Sequence, residues 1–336
     1  MQPKVMYCTG MFHPENEAIS KEIDLLRRRY QDSFVYSRTS RCEMSFSKDS
    51  LRYWDRVGIL DNLLGYMEAK YDISHIYHVL NNQFFLRRLR KDPIILTACS
   101  ENGDIEGVKQ FLHKAERIVV QSEKMMKKLC SKGIPADKIV IIYPGLDLSK
   151  FRVANPSGEK FKILFASAPL FANHFEGRGV RLLLDSSGLM EDVHLTLLWR
   201  KRVLKQIKTL LSQCHHNISL INRTIKDMSL VYDRVSATVA PFTDDRSNKS
   251  CPNSVLESLA SGKPVLVSDK VGISGLIEKE KCGVVFKPNP NAFVSAVEEL
   301  RRHYDFYQER AIPVAKKYFS LPTFLQKYDD LYSELM

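Results

Sequence analysis

The sequence predicts an α/β protein made of two doubly wound, Rossmann-like domains. Three observations predict it. Short apolar runs alternate with segments of helical period, the pattern breaks in a polar stretch near residue 150 and then restarts, and 336 residues suffice for two domains with a core each.

The first run, Val5 to Cys8, reads as a strand, followed by the loop TGMFHPEN and an amphipathic helix with Ile19, Ile23, Leu25 and Leu26 on its apolar side. Ser33 to Tyr36, Ser74 to Val79 and Pro93 to Ala98 read as the next strands. Ile118 to Gln121 is another, leading into a helix headed by Ser122 whose Gly133 suits a C-cap. Ile139 to Tyr143 closes this half at Pro144 and Gly145. Strands separated by helices imply right-handed crossovers and a parallel sheet. The stretch DLSKFRVANPSGEK, 147–160, is polar and aperiodic, and reads as the linker.

The pattern resumes with strands at Lys162 to Ala166, Val193 to Leu198, Asn217 to Ile221 and Ala237 to Ala240. The loop PFTDDRSNKSCP, the helix NSVLESLASG, the strand PVLVS and the short strand Gly283 to Phe286 follow. Helical tracts from Ala292 to Tyr304 and from about Leu321 to Met336 end the chain. The expected domains are 1–150, 151–315 and a C-terminal helix within 316–336. Two such sheets bind ligands at the carboxyl ends of their strands, which are expected to face a central cleft.

Composition narrows the function. With 44% hydrophobic and 26% charged residues, disorder is excluded as the default. Lys and Arg outnumber Asp and Glu by 50 to 39, a net charge of +11 that favours an anionic partner; a basic solvated surface is the plain alternative. Seven scattered cysteines without C-x-x-C spacing point to free thiols in a reducing compartment, not to zinc or a disulfide frame. The N-terminus lacks an apolar leader and no apolar run reaches transmembrane length, so a cytoplasmic protein is expected, peripheral to the inner membrane face at most. The runs LRRRY and FLRRLRKD read either as solvated helix faces or as a surface resting on anionic lipid. No nucleic-acid module is recognisable. Asp244-Asp245 and His215-His216 have the wrong spacing for metal sites, so no metal and no cofactor is expected.

The stretch CPNSVLESLASGKPVLVSD, 251–269, carries the chemistry. A helix start presents unpaired N–H groups and the positive end of the dipole, which suits a phosphate. With Asn253 or Ser254 as cap, the amides of Ser254 and Val255 face such an anion. Ser254 to Glu257 also spells a capping box, the structural alternative for Glu257.

The block KSCPNSVLESLASGKPVLVSDKVGISGLI, with the later CGVVFKP, resembles the donor-binding signature of family 4 glycosyltransferases, retaining enzymes of GT-B fold. AERIVVQSEKMMKKLCSKGIPADKIVIIYPGLDLSKF is similar to that family's interdomain segment, and RTIKDMSLVYDRVSATVAPF to the helix and strand before the signature. The likeness covers most of residues 115–290 and the tail FSLPTFLQKYDDLYSEL. It implies a glycosyltransferase, hexosyl and metal-independent, moving a sugar from a nucleotide-sugar to a glycan or lipid-linked acceptor in polysaccharide or glycolipid synthesis. It also implies that the C-terminal helix returns to the first domain.

By the same resemblance Glu257 holds the ribose hydroxyls, while Asn253, Ser254 and Val255 meet the diphosphate. The family's first glutamate, separated from the second by seven residues, is replaced by Lys249, read as a catalytic-side cation on the leaving diphosphate or as a loop charge. The family's Gly-Arg is also absent, Ser167-Ala168 standing there, so Arg178 and Arg200 are read either as phosphate clamps in its place or as plain surface arginines. On the acceptor side the usual glycine pair and histidine are missing, Cys99-Ser100-Glu101 replacing the latter, and His13, Glu15 and Asn16 are the candidates, with plain loop polar groups as the alternative reading. These losses leave open a non-catalytic GT-B nucleotide-binding module.

Overall fold

Two parallel sheets organise the chain. The computed structural model describes residues 2–15, 17–39, 44–53, 59–80, 83–100, 105–154, 160–212, 217–244 and 249–336. It divides into two compact units, one of Met1–Gly145 with Phe324–Met336, the other of Leu146–Thr323.

In the first unit, β1 (Val5–Thr9), β2 (Phe34–Arg38), β3 (Ser45–Ser47), β4 (Ser50–Tyr53), β5 (Ile73–His78), β6 (Ile94–Ala98), β7 (Arg117–Val120) and β8 (Ile139–Ile141) form one sheet. Their order is β3-β4-β2-β1-β5-β6-β7-β8, and every pairing is parallel except β3 with β4. β1 and β6 are buried at every position, as strands covered on both faces must be. The hairpin of β3 and β4 lies outside the strands expected from sequence. Its residues SFSKDS are polar and Phe46 is largely exposed, so no apolar run marks it.

The helix Ala18–Arg29 buries Ile23 and Leu26, together with Glu22, whose carboxylate accepts from Gln121 Nε2 at 2.7 Å. Ser122 caps the helix Glu123–Ser131 by accepting from the Met125 amide, and Gly133, with φ of 82°, ends it. The last residues of the chain pack on this unit. Tyr328 and Tyr332 are buried, and Asp329 accepts from Arg29 and from the Tyr30 hydroxyl.

The second sheet contains β9 (Phe161–Phe165), β10 (Val193–Leu198), β11 (Ile218–Ile221), β12 (Ala237–Ala240), β13 (Val265–Ser268) and β14 (Gly283–Phe286). All are parallel, in the order β11-β10-β9-β12-β13-β14. This is the doubly wound arrangement, with its switch point between β9 and β12. Its core joins Ile163, Phe165, Leu195, Leu197 and Val239 of the strands to Val180, Leu183, Phe293 and Val297 of the covering helices. The helix Tyr304–Val314 and the π-helical turn Ala315–Phe319 also lie outside the expected elements. Pro313 reads as a break in sequence, yet the structure carries it near the end of a helix that then widens to π geometry.

Among the described residues Cys8, Cys99, Cys130, Cys251 and Cys282 are free thiols. No described helix is long and apolar enough to cross a membrane.

Candidate functional site

In an open parallel sheet the crevice for a ligand lies beyond the carboxyl ends of the strands at the switch point. In the second unit the loops after β9 and β12 therefore matter most, and the helix Asn253–Ala260 follows the second of them.

This helix is almost wholly buried. Of its residues only Asn253 and Glu257 are partly exposed, and at a spacing of four they share one face. Its far end is closed by a Schellman motif. The Gly262 amide donates to the Leu259 carbonyl at 3.0 Å, and the Lys263 amide to that of Ser258 at 2.9 Å. Gly262 has φ of 69°, a conformation that favours glycine, and Pro264 stops the helix. The sequence Ser-Gly-Lys-Pro is thus a stop signal placed so that β13 starts at once.

The near end corrects the expected cap. Pro252, with extended backbone, occupies the N-cap position, and no side chain caps the helix. Neither Asn253 nor Ser254 takes that role: Asn253 Oδ1 accepts from Lys249 Nζ at 3.1 Å, and the Ser254 and Ser167 hydroxyls pair at 3.1 Å. The Val255 amide already donates to the Pro252 carbonyl at 3.0 Å, so it is not the phosphate donor expected from sequence. Within the helix itself, as in any first turn, no i−4 carbonyl is available to the Asn253 and Ser254 amides. No capping box forms around Glu257 either. Its Oε2 accepts from the Tyr232 hydroxyl at 2.9 Å, which also lies 3.2 Å from the Ser254 carbonyl.

Ser167 stands just beyond β9. The same loop brings Arg178 and Gly179 to the start of the helix Val180–Ser187. Gly179 has φ of 70°, and a Cβ there would lie 1.9 Å from the Pro241 carbonyl oxygen, so the loops after β9 and β12 touch at a point where only glycine fits. The neighbouring Gly177 carbonyl accepts from the Thr243 amide at 3.1 Å. Arg178 is held by this junction, its guanidinium 5.1 Å from the centre of the Phe242 ring. Burial, reinforced by the positive charge of Arg200, lowers the Arg178 pKa to about 10, with Asp244 acting in the opposite direction. Arg178 is therefore still charged at neutral pH, beside a second arginine. Arg200 itself is exposed and follows β10, the strand next to β9.

Lys249, Asn253, Ser254 and Glu257 thus belong to one helix and its approach, while Arg178 stands at the start of the helix Val180–Ser187 and Arg200 just past β10. Sequence reasoning missed Ser167 and Tyr232 as parts of the site. Ser167 was noted only as standing where the family's Gly-Arg is absent, and Tyr232 was legible only as an aromatic in an apolar helix. It also missed a cavity of about 300 Å³ beyond β11, lined by Arg223, Thr224, Ile225, Asp227, Val231 and Arg234 among others.

In the first unit His13 and Glu15 lie in the loop after β1. The His13 amide donates to the Ser20 hydroxyl at 3.0 Å, and Glu15 is exposed. Asn16, Glu101, Asp245 and the pair His215-His216 lie outside the described residues. Among the described residues no three His, Cys, Asp or Glu side chains gather in a way that could hold a metal ion. The arginines of LRRRY are engaged within this unit: Arg27 and Arg28 pair with Asp24, and Arg29 with Asp329.

Residues 161–303 match the family described as Glycosyl transferases group 1, and residues 22–150 match Glycosyltransferase Family 4. The chain therefore carries two glycosyltransferase domains. No curated protein matches it by sequence. Among solved structures, it is similar to HepE of Anabaena in complex with UDP, at 13% identity over 99% of this chain and 100% of that one, with a TM-score of 0.77. A glycosyltransferase from Rickettsia africae matches at 16% identity over 99% and 98%, with a TM-score of 0.76. A sucrose-phosphate synthase from Thermosynechococcus elongatus matches at 14% identity over 100% and 99%, with a TM-score of 0.75. At such identities the likeness establishes the fold, which is GT-B.

Proposed function

We propose, for a chain built of two glycosyltransferase domains on a GT-B frame, that it is a retaining glycosyltransferase moving a hexosyl group from a nucleotide-sugar to a glycan or lipid-linked acceptor. The observation that carries this reading is the helix Asn253–Ala260, buried except for Asn253 and Glu257 and starting at the switch point of the second sheet. The Glu257 carboxylate takes the ribose hydroxyls, and the Asn253 and Ser254 amides take the diphosphate. The cavity beyond β11 takes the base. Charge supports the assignment. Arg178, half-buried, and Arg200 beside it form a pair of like charges that a diphosphate would relieve, and Lys249 sits one hydrogen bond from the first helical residue. Cations so placed stabilise the leaving diphosphate without a metal.

The acceptor is assigned to residues 1–150, with His13, Glu15 and Asn16 as its candidate contacts. The membrane reading rests on less, because the LRRRY arginines are paired within the unit that carries them. One observation favours a second reading: Lys249 stands where the family has a glutamate on the transferred sugar, as a non-catalytic nucleotide-binding module would allow.

Calorimetric titration with UDP, GDP and ADP, followed by the corresponding nucleotide-sugars, tests the proposal. At least one diphosphate is expected to bind, and Glu257→Ala is expected to weaken it by about tenfold or more, the worth of a charge-assisted hydrogen bond. Unchanged affinity in Glu257→Ala would remove the ribose assignment. Tight binding without donor hydrolysis or transfer to any acceptor would select the non-catalytic module.

A further inference from the structure

We propose that Tyr232 is a positioning residue: its hydroxyl aims the Glu257 carboxylate, and its ring is held in turn by Phe151, in the segment Phe151–Ala154 near the start of the second unit. The inference rests on the reading of Glu257 as the ribose ligand and concerns how that group is held ready.

A glutamate has a long, flexible side chain, and fixing it when a ligand arrives costs conformational entropy unless the protein has fixed it beforehand. Glu257 is fixed beforehand. The Tyr232 hydroxyl donates to its Oε2 at 2.9 Å and lies 3.2 Å from the Ser254 carbonyl, so one phenol bridges two turns of the same helix. Burial and the nearby carboxylate both raise the Tyr232 pKa well above its ordinary value, which keeps the phenol protonated and able to donate.

The ring that carries this hydroxyl is itself immobile. It is completely buried, clusters with Leu164 and Val235, and meets the Phe151 ring edge-on at 6.4 Å. The residues after Phe151 touch the other end of the helix. Val153 Cγ1 lies 3.0 Å from where a Cβ on Gly262 would stand, and the fully buried Lys263 donates its ammonium to the Ala154 carbonyl. Phe151, Val153 and Ala154 thus brace the helix Asn253–Ala260 at its Schellman end and, through Tyr232, at Glu257. A ring alone would fill the space equally well. The hydroxyl is the part that packing does not require, and it points at the one carboxylate of the helix.

The test uses the full-length protein and whichever of UDP, GDP and ADP binds tightest, beside its 2′,3′-dideoxy counterpart. Tyr232→Phe is expected to keep the melting temperature, weaken the ribose nucleotide about five- to tenfold, one hydrogen bond's worth, and leave the dideoxy nucleotide unaffected. In a Glu257→Ala background the same substitution is expected to cost nothing, the mark of one shared interaction. Phe151→Leu keeps the hydroxyl but loosens the ring, and is expected to show a smaller loss with the same ribose selectivity. Equal losses on both nucleotides, or none in either variant, would overturn the role of Tyr232. If Glu257→Ala itself binds unchanged, or no diphosphate binds, the ribose reading fails and this inference with it.

Discussion

Lys249 and Asn253 show how much one side chain can redirect a motif. An asparagine ahead of a buried helix reads as a cap, but here its carbonyl oxygen faces the Lys249 ammonium, and Pro252 opens the helix. The consequence is a cation fixed beside a positive helix terminus, an arrangement suited to an anion. Lys249→Glu is expected to weaken nucleoside diphosphate binding by at least about tenfold through charge reversal, and to abolish transfer, while leaving the affinity of the free nucleoside unchanged. Titration of both ligands reads this directly. Equal loss on the nucleoside would mean that the position shapes the site as a whole, and improved transfer would mean that it tolerates a carboxylate.

At the scale of elements, the junction between the loops after β9 and β12 sets the position of Arg178. Gly179 makes it possible, because its left-handed backbone lets the Pro241 carbonyl pass within a distance that no Cβ permits. Gly179→Ala is expected to lower stability by about 3 kcal/mol or more, since backbone and not a flexible side chain would have to give way. Gly275, in the helix Ser274–Glu280 with open space around its Cα, is the control: Gly275→Ala is expected to be neutral or stabilising by up to about 1 kcal/mol. Urea unfolding of both variants checks the pair, and an unaffected Gly179→Ala would refute the argument. The glycine itself is visible in the sequence as the residue after Arg178. Its clash partner, more than sixty residues away in the chain, was not.

At the scale of the whole molecule, the chain's last residues complete its first unit. Tyr332 in the helix Leu321–Glu334 meets His75 Nδ1 at 2.6 Å, and Thr97 of β6 meets Nε2 at 2.7 Å. His75 is fully buried, and desolvation lowers its pKa from 6.5 to about 3. A folded value below the unfolded one means that between those pH values the unfolded chain binds a proton the folded chain refuses. Stability therefore falls as pH drops below 6.5. Going from pH 7 to pH 5 is expected to cost about 2 kcal/mol through His75. His78, lowered to about 4 by burial, adds to the same trend. His75→Gln is expected to shrink that acid loss, measured by denaturant unfolding at the two pH values. An identical loss in the variant would show that His75 does not carry it.

The sequence by itself determined the period of the elements, the break between the two halves, the two parallel sheets and the neighbourhood of Glu257. These follow from local propensity and from the alternation of apolar residues, which each segment carries within itself. Element ends moved by a residue or two, and the polar hairpin of β3 and β4 and the helix containing Pro313 escaped notice, because neither has an apolar period uninterrupted by breakers. Only the tertiary structure decided which groups Glu257 and Ser254 face. Tyr232 lies twenty-five residues from Glu257, and Ser167 eighty-seven from Ser254. Hydrogen bonds between side chains so distant in the chain depend on how strands β9 and β12 come to lie side by side, a property of the folded sheet that no single segment encodes.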